Sequence, residues 1–163
     1  MTVIRRATAA DLEHILRIYN QGIEDRIATL ETEPKTLDYM LHWFTQREER
    51  YFVLIAETAQ GEIAGWASVN PYSPRLAYRG VADLSIYIDR AFRGHGIGKL
   101  LLAELESQAR AAQFHKIVLF TFPFNALGQS LYRKAGFREV GVFHNQGQLD
   151  GKFVDVMAME KLL

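Results

Sequence analysis

Asp83-Leu84-Ser85-Ile86-Tyr87-Ile88, followed four residues later by Arg93-Gly94-His95-Gly96-Ile97-Gly98, is the stretch from which the rest of the chain can be read. The first six residues alternate polar and apolar side chains, as a half-buried strand does. Behind the second six, Ile97, Leu100, Leu101, Leu105, Ala109 and Ala112 recur at helical spacing. Strand, glycine-rich turn and helix together make an anion cradle. Glycines let backbone N–H groups close on an anion, and the first helical turn adds unpaired donors and the positive end of a dipole. Arg93 and Lys99 flank the loop with charge. The pattern reads as a pyrophosphate-holding loop or, equally, as a plain turn that caps a helix. Two other nucleotide loops do not fit. The Gly-Lys-Ser/Thr of a Walker loop is absent, and no G-x-G-x-x-G with a following ribose-binding acid can be placed. What remains is Arg-x-x-Gly-x-Gly.

The 163 residues suit a single domain with a sizeable core, residues 1–163. Nineteen basic and nineteen acidic side chains cancel, which argues against a general nucleic-acid binder. With no cysteine, thiol nucleophiles and disulfides are excluded and a reducing cytoplasm is the expected location. No signal peptide or membrane-spanning run is evident, so no membrane partner is expected. His14, His42, His95, His115 and His144 are scattered without metal-ligand spacing, so no metal is expected either. No G-x-S-x-G elbow marks a serine hydrolase.

Along the chain, residues 3–6 read as a strand, and Thr8-Ala9-Ala10-Asp11 as a capping box. Leu12, Ile15, Leu16, Tyr19 and Ile23 then form an apolar helical stripe. A second helix over 37–46 is expected to face inward with Met40, Leu41 and Phe44. Strands are expected over 51–57, 62–70 and 81–88, then the glycine loop and long helix, and a strand over 116–122. A helix over 125–134 is stopped by Gly136. Two antiparallel closing strands follow, over 137–143 and 153–159. The order β-α-α-β-β-β-α-β-α-β-β implies an α/β (α+β) fold, helices covering a mixed sheet.

That order, together with the Arg-x-x-Gly-x-Gly loop, resembles the GNAT superfamily of N-acetyltransferases over nearly the whole chain. The resemblance implies a mixed, mostly antiparallel sheet of about seven strands flanked by about four helices. Ile18-Tyr19-Asn20, Ala28-Thr29-Leu30-Glu31-Thr32-Glu33-Pro34, Trp43-Phe44, Gly65-Trp66-Ala67-Ser68, Ala77-Tyr78-Arg79 and Ser85-Ile86-Tyr87-Ile88 are similar to the branch that acetylates phosphinothricin and methionine sulfoximine. Residues 19–26 and Leu149-Asp150-Gly151-Lys152 are most similar to the arsinothricin N-acetyltransferases within it.

The resemblance implies an enzyme that uses acetyl-CoA to acetylate the α-amine of a small, toxic, glutamate-like amino acid, as a cytoplasmic homodimer. It implies that Ile86, Tyr87 and Ile88 offer main chain to the pantetheine arm. Arg93, Gly94, His95, Gly96, Ile97, Gly98 and Lys99 would cradle the diphosphate, with Asn125 and Lys134 as further cofactor contacts. Asp83 takes the position of the catalytic base, where the family usually has glutamate; one methylene shorter, it would reach the amine directly or through a water. Tyr132 matches the proton donor to the leaving thiolate. Arg75, with Arg79 as second choice, would pair with the substrate carboxylate. Tyr19, Asn20, Thr29, Glu31 and Ser85 would line the substrate site. The family's usual Asn-x-Ala-Ser is here Asn125-Ala126-Leu127-Gly128, without the serine. Each residue also has an ordinary reading: Asp83 as a strand residue or a partner of Arg79, Tyr132, Trp43 and Trp66 as core aromatics, Asn125 as a helix cap, Arg75 as a solvated loop arginine. Two other functions stay open at this point: acetylation of protein N-termini or polyamines, and non-catalytic acyl-CoA binding.

Overall fold

The computed structural model describes residues 1–163. In chain order its elements are β1 (Val3–Arg6), α1 (Leu12–Asp25), α2 (Leu37–Thr45), β2 (Val53–Glu57), β3 (Ile63–Pro71), β4 (Val81–Ile88), α3 (Ile97–Ala111), β5 (Lys116–Thr121), α4 (Ala126–Lys134), β6 (Arg138–Leu149) and β7 (Lys152–Leu162). The seven strands form one sheet in the order β1-β2-β3-β4-β5-β7-β6. Every neighbouring pair is antiparallel except β4 and β5, which are joined through α3 and run parallel. The mixed, mostly antiparallel sheet with four helices is the expected fold.

Alternation along the strands divides the core in two. Ala67, Val69, Ala82 and Leu84 face α3, whose Leu101, Leu102, Leu105 and Ala109 are buried against them. Trp66 and Ile55 face the opposite way, into a smaller core with Leu12, Ile15 and Ile18 of α1 and Met40 of α2. Each fully buried leucine stabilises the fold by roughly 1.5–3 kcal/mol. Asp11 closes the capping box with Thr8, accepting its N–H at 2.8 Å, and also accepts from both terminal guanidinium nitrogens of Arg5.

Three expectations about the core are corrected. Leu100 lies on the exposed side of α3 and Leu102 takes its place inside, because in a run of three leucines the 3.6-residue period does not say which two face inward. Leu41 is likewise exposed; α2 buries Met40 alone and leaves Phe44 partly covered. Ile18 belongs to the buried stripe of α1, and Leu16 only packs at its margin. The closing strands also run further than expected. Asp150 and Gly151 both adopt positive φ and make a two-residue hairpin turn between Leu149 and Lys152, a geometry that Asp-Gly favours. β6 and β7 therefore form one long ribbon that overhangs the site.

Candidate active site

β4 carries the site because its two edges differ. Toward β3 it is paired from Ala82, opposite Pro71, to Ile88, opposite Gly65. Toward β5 the ladder stops at Asp83, opposite Val118, while β5 continues to Thr121 beside β7. The two parallel strands part like the arms of a V. The Asp89 N–H donates to the Ala64 carbonyl at 2.8 Å, which sets the alternation of the antiparallel ladder. Tyr87 thus turns its main chain toward β3, whereas Ile86 and Ile88 turn theirs into the opening. An edge free of strand pairing is a template for another extended chain, although the Ile88 carbonyl on it already accepts from Arg93. Of the three residues expected to offer main chain, Ile86 and Ile88 turn theirs toward the opening and Tyr87 turns its toward β3. Its ring packs with Tyr19 and Trp66, each at 5.1 Å.

The loop beyond β4 is open ground. Gly94 and Gly96 have φ of 79° and 81°, values that favour glycine, and a methyl group added to either would meet nothing within 4 Å. Gly96 starts α3, so the N–H groups of Ile97, Gly98 and Lys99 have no acceptor within the helix. The Ile97 side chain is in the core and Gly98 packs on Leu131, leaving both to contribute main chain only. Arg93 does not stand free beside the loop as expected. It pairs with Asp25 at 2.8 Å and donates to the Ile88 carbonyl at 3.2 Å. Asp25 also holds Arg90 at 2.6 Å, and this double pairing keeps its carboxyl below the usual carboxylate range. Arg93 therefore fastens the loop to the end of α1. His95 turns Nδ1 back toward the Arg93 carbonyl at 2.9 Å. Lys99 and Lys134 line a cleft of about 510 Å³ between α3 and α4. The arrangement suits an extended ligand that ends in a diphosphate.

Where the V opens, a cleft of about 370 Å³ passes through the sheet, and residues from both faces meet in it. Asp83 enters from the α1 side and Tyr132 from α4; a closed sheet would keep them apart. Burial pushes the Asp83 carboxyl up from its ordinary 3.8 to about 7, against a hydrogen bond from Asn70 that lowers it. Burial, with Tyr87 nearby, raises the Tyr132 hydroxyl, and Tyr87 itself is pushed up to about 12. Thr29, Ser85 and Asn125 also line the cleft. Asn125 is the cap of α4, its Oδ1 accepting from the Gly128 N–H at 3.1 Å, so its ordinary reading holds as well.

Other expected substrate residues lie elsewhere. Arg75 and Arg79 line a separate cavity of about 480 Å³ with Trp43, Arg47 and Tyr51. Arg79 pairs with Glu48 at 3.2 Å, not with Asp83. Arg75 has no ion pair, and only its main chain is engaged, its N–H donating to Ser73 Oγ and its carbonyl accepting from the Tyr78 N–H. Tyr19 is packed edge-on against Trp66. Asn20 clamps the main chain of Lys35 through both amide atoms, and Glu31 pairs with the Lys35 ammonium at 2.7 Å. These two shape the segment after α1 instead of entering the cleft.

Leu30, within the 29–33 loop expected to line the substrate site, does line the cleft; sequence reasoning missed Phe120, Phe122, Gln146 and Val156 in its walls, and Asn70, which touches Asp83. Leu30 packs so closely on Gly147 that a methyl group there would come within 2.5 Å of it. Arg26 pairs with Asp150 at 3.3 Å. The loop after α1 and the β6–β7 ribbon thus meet over the cleft.

Comparison with known proteins gives this geometry a context. The acetyltransferase (GNAT) family profile matches residues 12–137. The L-methionine sulfoximine/L-methionine sulfone acetyltransferase of Pseudomonas aeruginosa is 35% identical over 158 residues, 96% of this chain and 92% of that protein. A phosphinothricin acetyltransferase from Sinorhizobium meliloti, solved in complex with AcCoA, superposes with a TM-score of 0.94 at 30% identity, covering 99% of this chain and 88% of that one. A ribosomal-protein-alanine N-acetyltransferase from Brucella melitensis superposes with a TM-score of 0.95 at 36% identity, covering 99% of both.

Proposed function

The chain belongs to the GNAT acetyltransferase family and is an acetyl-CoA-dependent N-acetyltransferase; from that premise we propose that it acetylates the α-amine of a small glutamate-like amino acid of the phosphinothricin, methionine sulfoximine or arsinothricin type, and so detoxifies it. The observation that carries this reading is the convergence of Asp83 and Tyr132 on the cleft where β4 and β5 part.

Acetyl-CoA supplies the acetyl group as a thioester, reactive toward a neutral amine. The main chain of Ile86 and Ile88 holds the pantetheine arm, the amides of residues 94–99 hold the diphosphate, and Lys99 and Lys134 add positive charge. The acceptor arrives as an ammonium ion, and only its deprotonated form attacks. Asp83, titrating at about 7, accepts that proton near neutral pH, directly or across one water. The Tyr132 hydroxyl gives a proton to the departing thiolate. For Arg75 to receive the α-carboxylate bidentately, the loop after β3 has to carry its unpaired guanidinium from the separate cavity it lines to the cleft.

The likeness to an N-acetyltransferase of a ribosomal protein favours a second reading, a polypeptide N-terminus as acceptor. The contact of Leu30 with Gly147 over the cleft speaks for a small acceptor, because a peptide needs an open groove. We also infer a homodimer, supported by the exposed apolar side chains Val140, Val142, Phe143 and Phe153 on the long ribbon, and a cytoplasmic location, supported by the absence of cysteine.

A thiol-release assay tests the substrate. Phosphinothricin, methionine sulfoximine and arsinothricin should outpace an alanine-starting peptide and spermidine in kcat/KM. A peptide turned over faster than all three amino acids would move the enzyme to the second reading.

A further inference from the structure

The β3–β4 register puts Asn70 opposite Asp83 and Ser68 opposite Ser85. These four side chains make a polar block on a sheet face whose next pair is Trp66 and Tyr87. Behind the block lies Arg47, two residues beyond the end of α2. Its Nε donates to the Tyr51 carbonyl at 2.8 Å; one Nη donates to the Val69 carbonyl at 2.6 Å and to Asn70 Oδ1 at 2.9 Å. It lies over the Trp43 ring at 4.5 Å and has no carboxylate partner. Burial lowers it to about 10. A half-buried guanidinium that spends its donors on neutral oxygens, with no counter-ion, raises the question of its role.

The chemistry of the amide supplies an answer. A guanidinium has no acceptor, so the atom of Asn70 facing Arg47 is the oxygen. Ser68 Oγ donates to the same oxygen at 3.2 Å. The amide nitrogen is thereby forced the other way, to Ser85 Oγ at 3.2 Å and the Asp83 carbonyl at 3.3 Å, beside the Asp83 carboxyl, whose charged form it favours. We propose that Arg47 and Asn70 are positioning residues for proton transfer: Arg47 locks the Asn70 amide in one orientation, and Asn70 aims its N–H groups so that the Asp83 carboxylate is held ionised and turned toward the acceptor amine. The inference rests on the reading of Asp83 as the base. The other titratable groups around Asp83 are Tyr87 on its own strand, Tyr132 from α4, and, beyond Tyr87, Tyr19 from α1 and Glu31 from the following loop. β5 presents Val118, Phe120 and Thr121, none of them charged.

The experiment is the pH dependence of kcat/KM for a saturable amino-acid acceptor in the wild type, Asn70→Ala, Asn70→Ser, Arg47→Lys and Asp83→Asn. Removing a hydrogen bond from the charged form raises an acid's pKa. Asn70→Ala should move the limb near pH 7 upward by about one unit, recover most of its rate at pH 9, and leave KM for acetyl-CoA unchanged. Asn70→Ser keeps a donor and should move it less; Arg47→Lys keeps the charge without the fork and should move it in the same direction. A titration of the Asp83 carboxyl by carbon-13 NMR in Asn70→Ala reads the same shift without turnover. A rate lowered equally at every pH, with the midpoint in place, overturns the positioning role. Asp83→Asn separates the two levels. If the limb persists in that variant, the base assignment falls and the inference with it. If the limb vanishes there but Asn70→Ala leaves the midpoint unmoved, only the inference falls.

Discussion

The half of the site that suits acetyl-CoA and the half that suits the acceptor are built on opposite principles. The first comes from one run of chain, residues 86–99, and relies on main chain: the free edge of β4, two glycines with positive φ, and the start of α3. The second is assembled from side chains of five separated segments, bringing together Thr29 and Leu30, Asp83 and Ser85, Phe120 to Asn125, Tyr132, and Gln146. A main-chain site depends on backbone shape and tolerates changes of side chain. A side-chain site is lost or retuned one residue at a time.

The sharpest way to break this contrast is Asp83→Asn. The acceptor half should lose its base and kcat should fall by about 10²- to 10⁴-fold, while acetyl-CoA affinity by calorimetry stays as it was. The same variant has a stability signature. Asp83 titrates at 3.8 when unfolded and at about 7 in the fold, so the folded state binds more protons across that window. Its contribution is fully present below pH 4 and is lost as pH rises through 7. Asparagine removes the ionisation, so the variant should outlast the wild type in thermal melts at pH 8, by up to about 4 kcal/mol, with the gap closing below pH 4. A variant less stable than the wild type at pH 8 would mean that the carboxylate is not desolvated.

Gly96→Val probes the other half. A β-branched residue at positive φ is strained by about 1–3 kcal/mol, so KM for acetyl-CoA should rise roughly tenfold or more, with KM for the acceptor little changed. Equal rises would show that the halves do not separate. Arg75→Ala should do the reverse, raising acceptor KM about tenfold through the loss of a charged hydrogen bond and sparing acetyl-CoA; equal effects would take Arg75 out of the acceptor site. The smallest effect should come from Gly147→Val, which drives a side chain into Leu30. Overpacking of about 1 kcal/mol should lift the loop after α1 and raise acceptor KM several-fold, and an unchanged KM would mean that this contact does not shape the cleft.

The same contrast explains what could be read in advance. The glycine loop, α3 and the element order were legible because each is a local pattern: period two, then a turn, then period 3.6. Asp83 and Tyr132 were named through resemblance, and the parting of β4 from β5 is what unites them. Arg93 was legible as a charge but not as a fastening, since Asp25 lies 68 residues away in sequence. Asn70 left a faint signal. With the ends of β3 and β4 known, counting back along the hairpin puts it across from Asp83. Arg47 left none, because nothing local distinguishes an arginine that will be buried from its neighbours in Gln46-Arg47-Glu48-Glu49-Arg50. The separation of Arg75 from the cleft was equally invisible, being a matter of where a loop comes to rest.

One consequence of the V between β4 and β5 concerns descent. Ile86 and Ile88 pack their side chains into the α3 core while their amides face the gap, so selection at those positions judges only how well they fill space. Lineages can accumulate neutral drift there without forfeiting the common acyl donor. Specificity is then free to diverge at the opposite wall, one acceptor-facing side chain at a time.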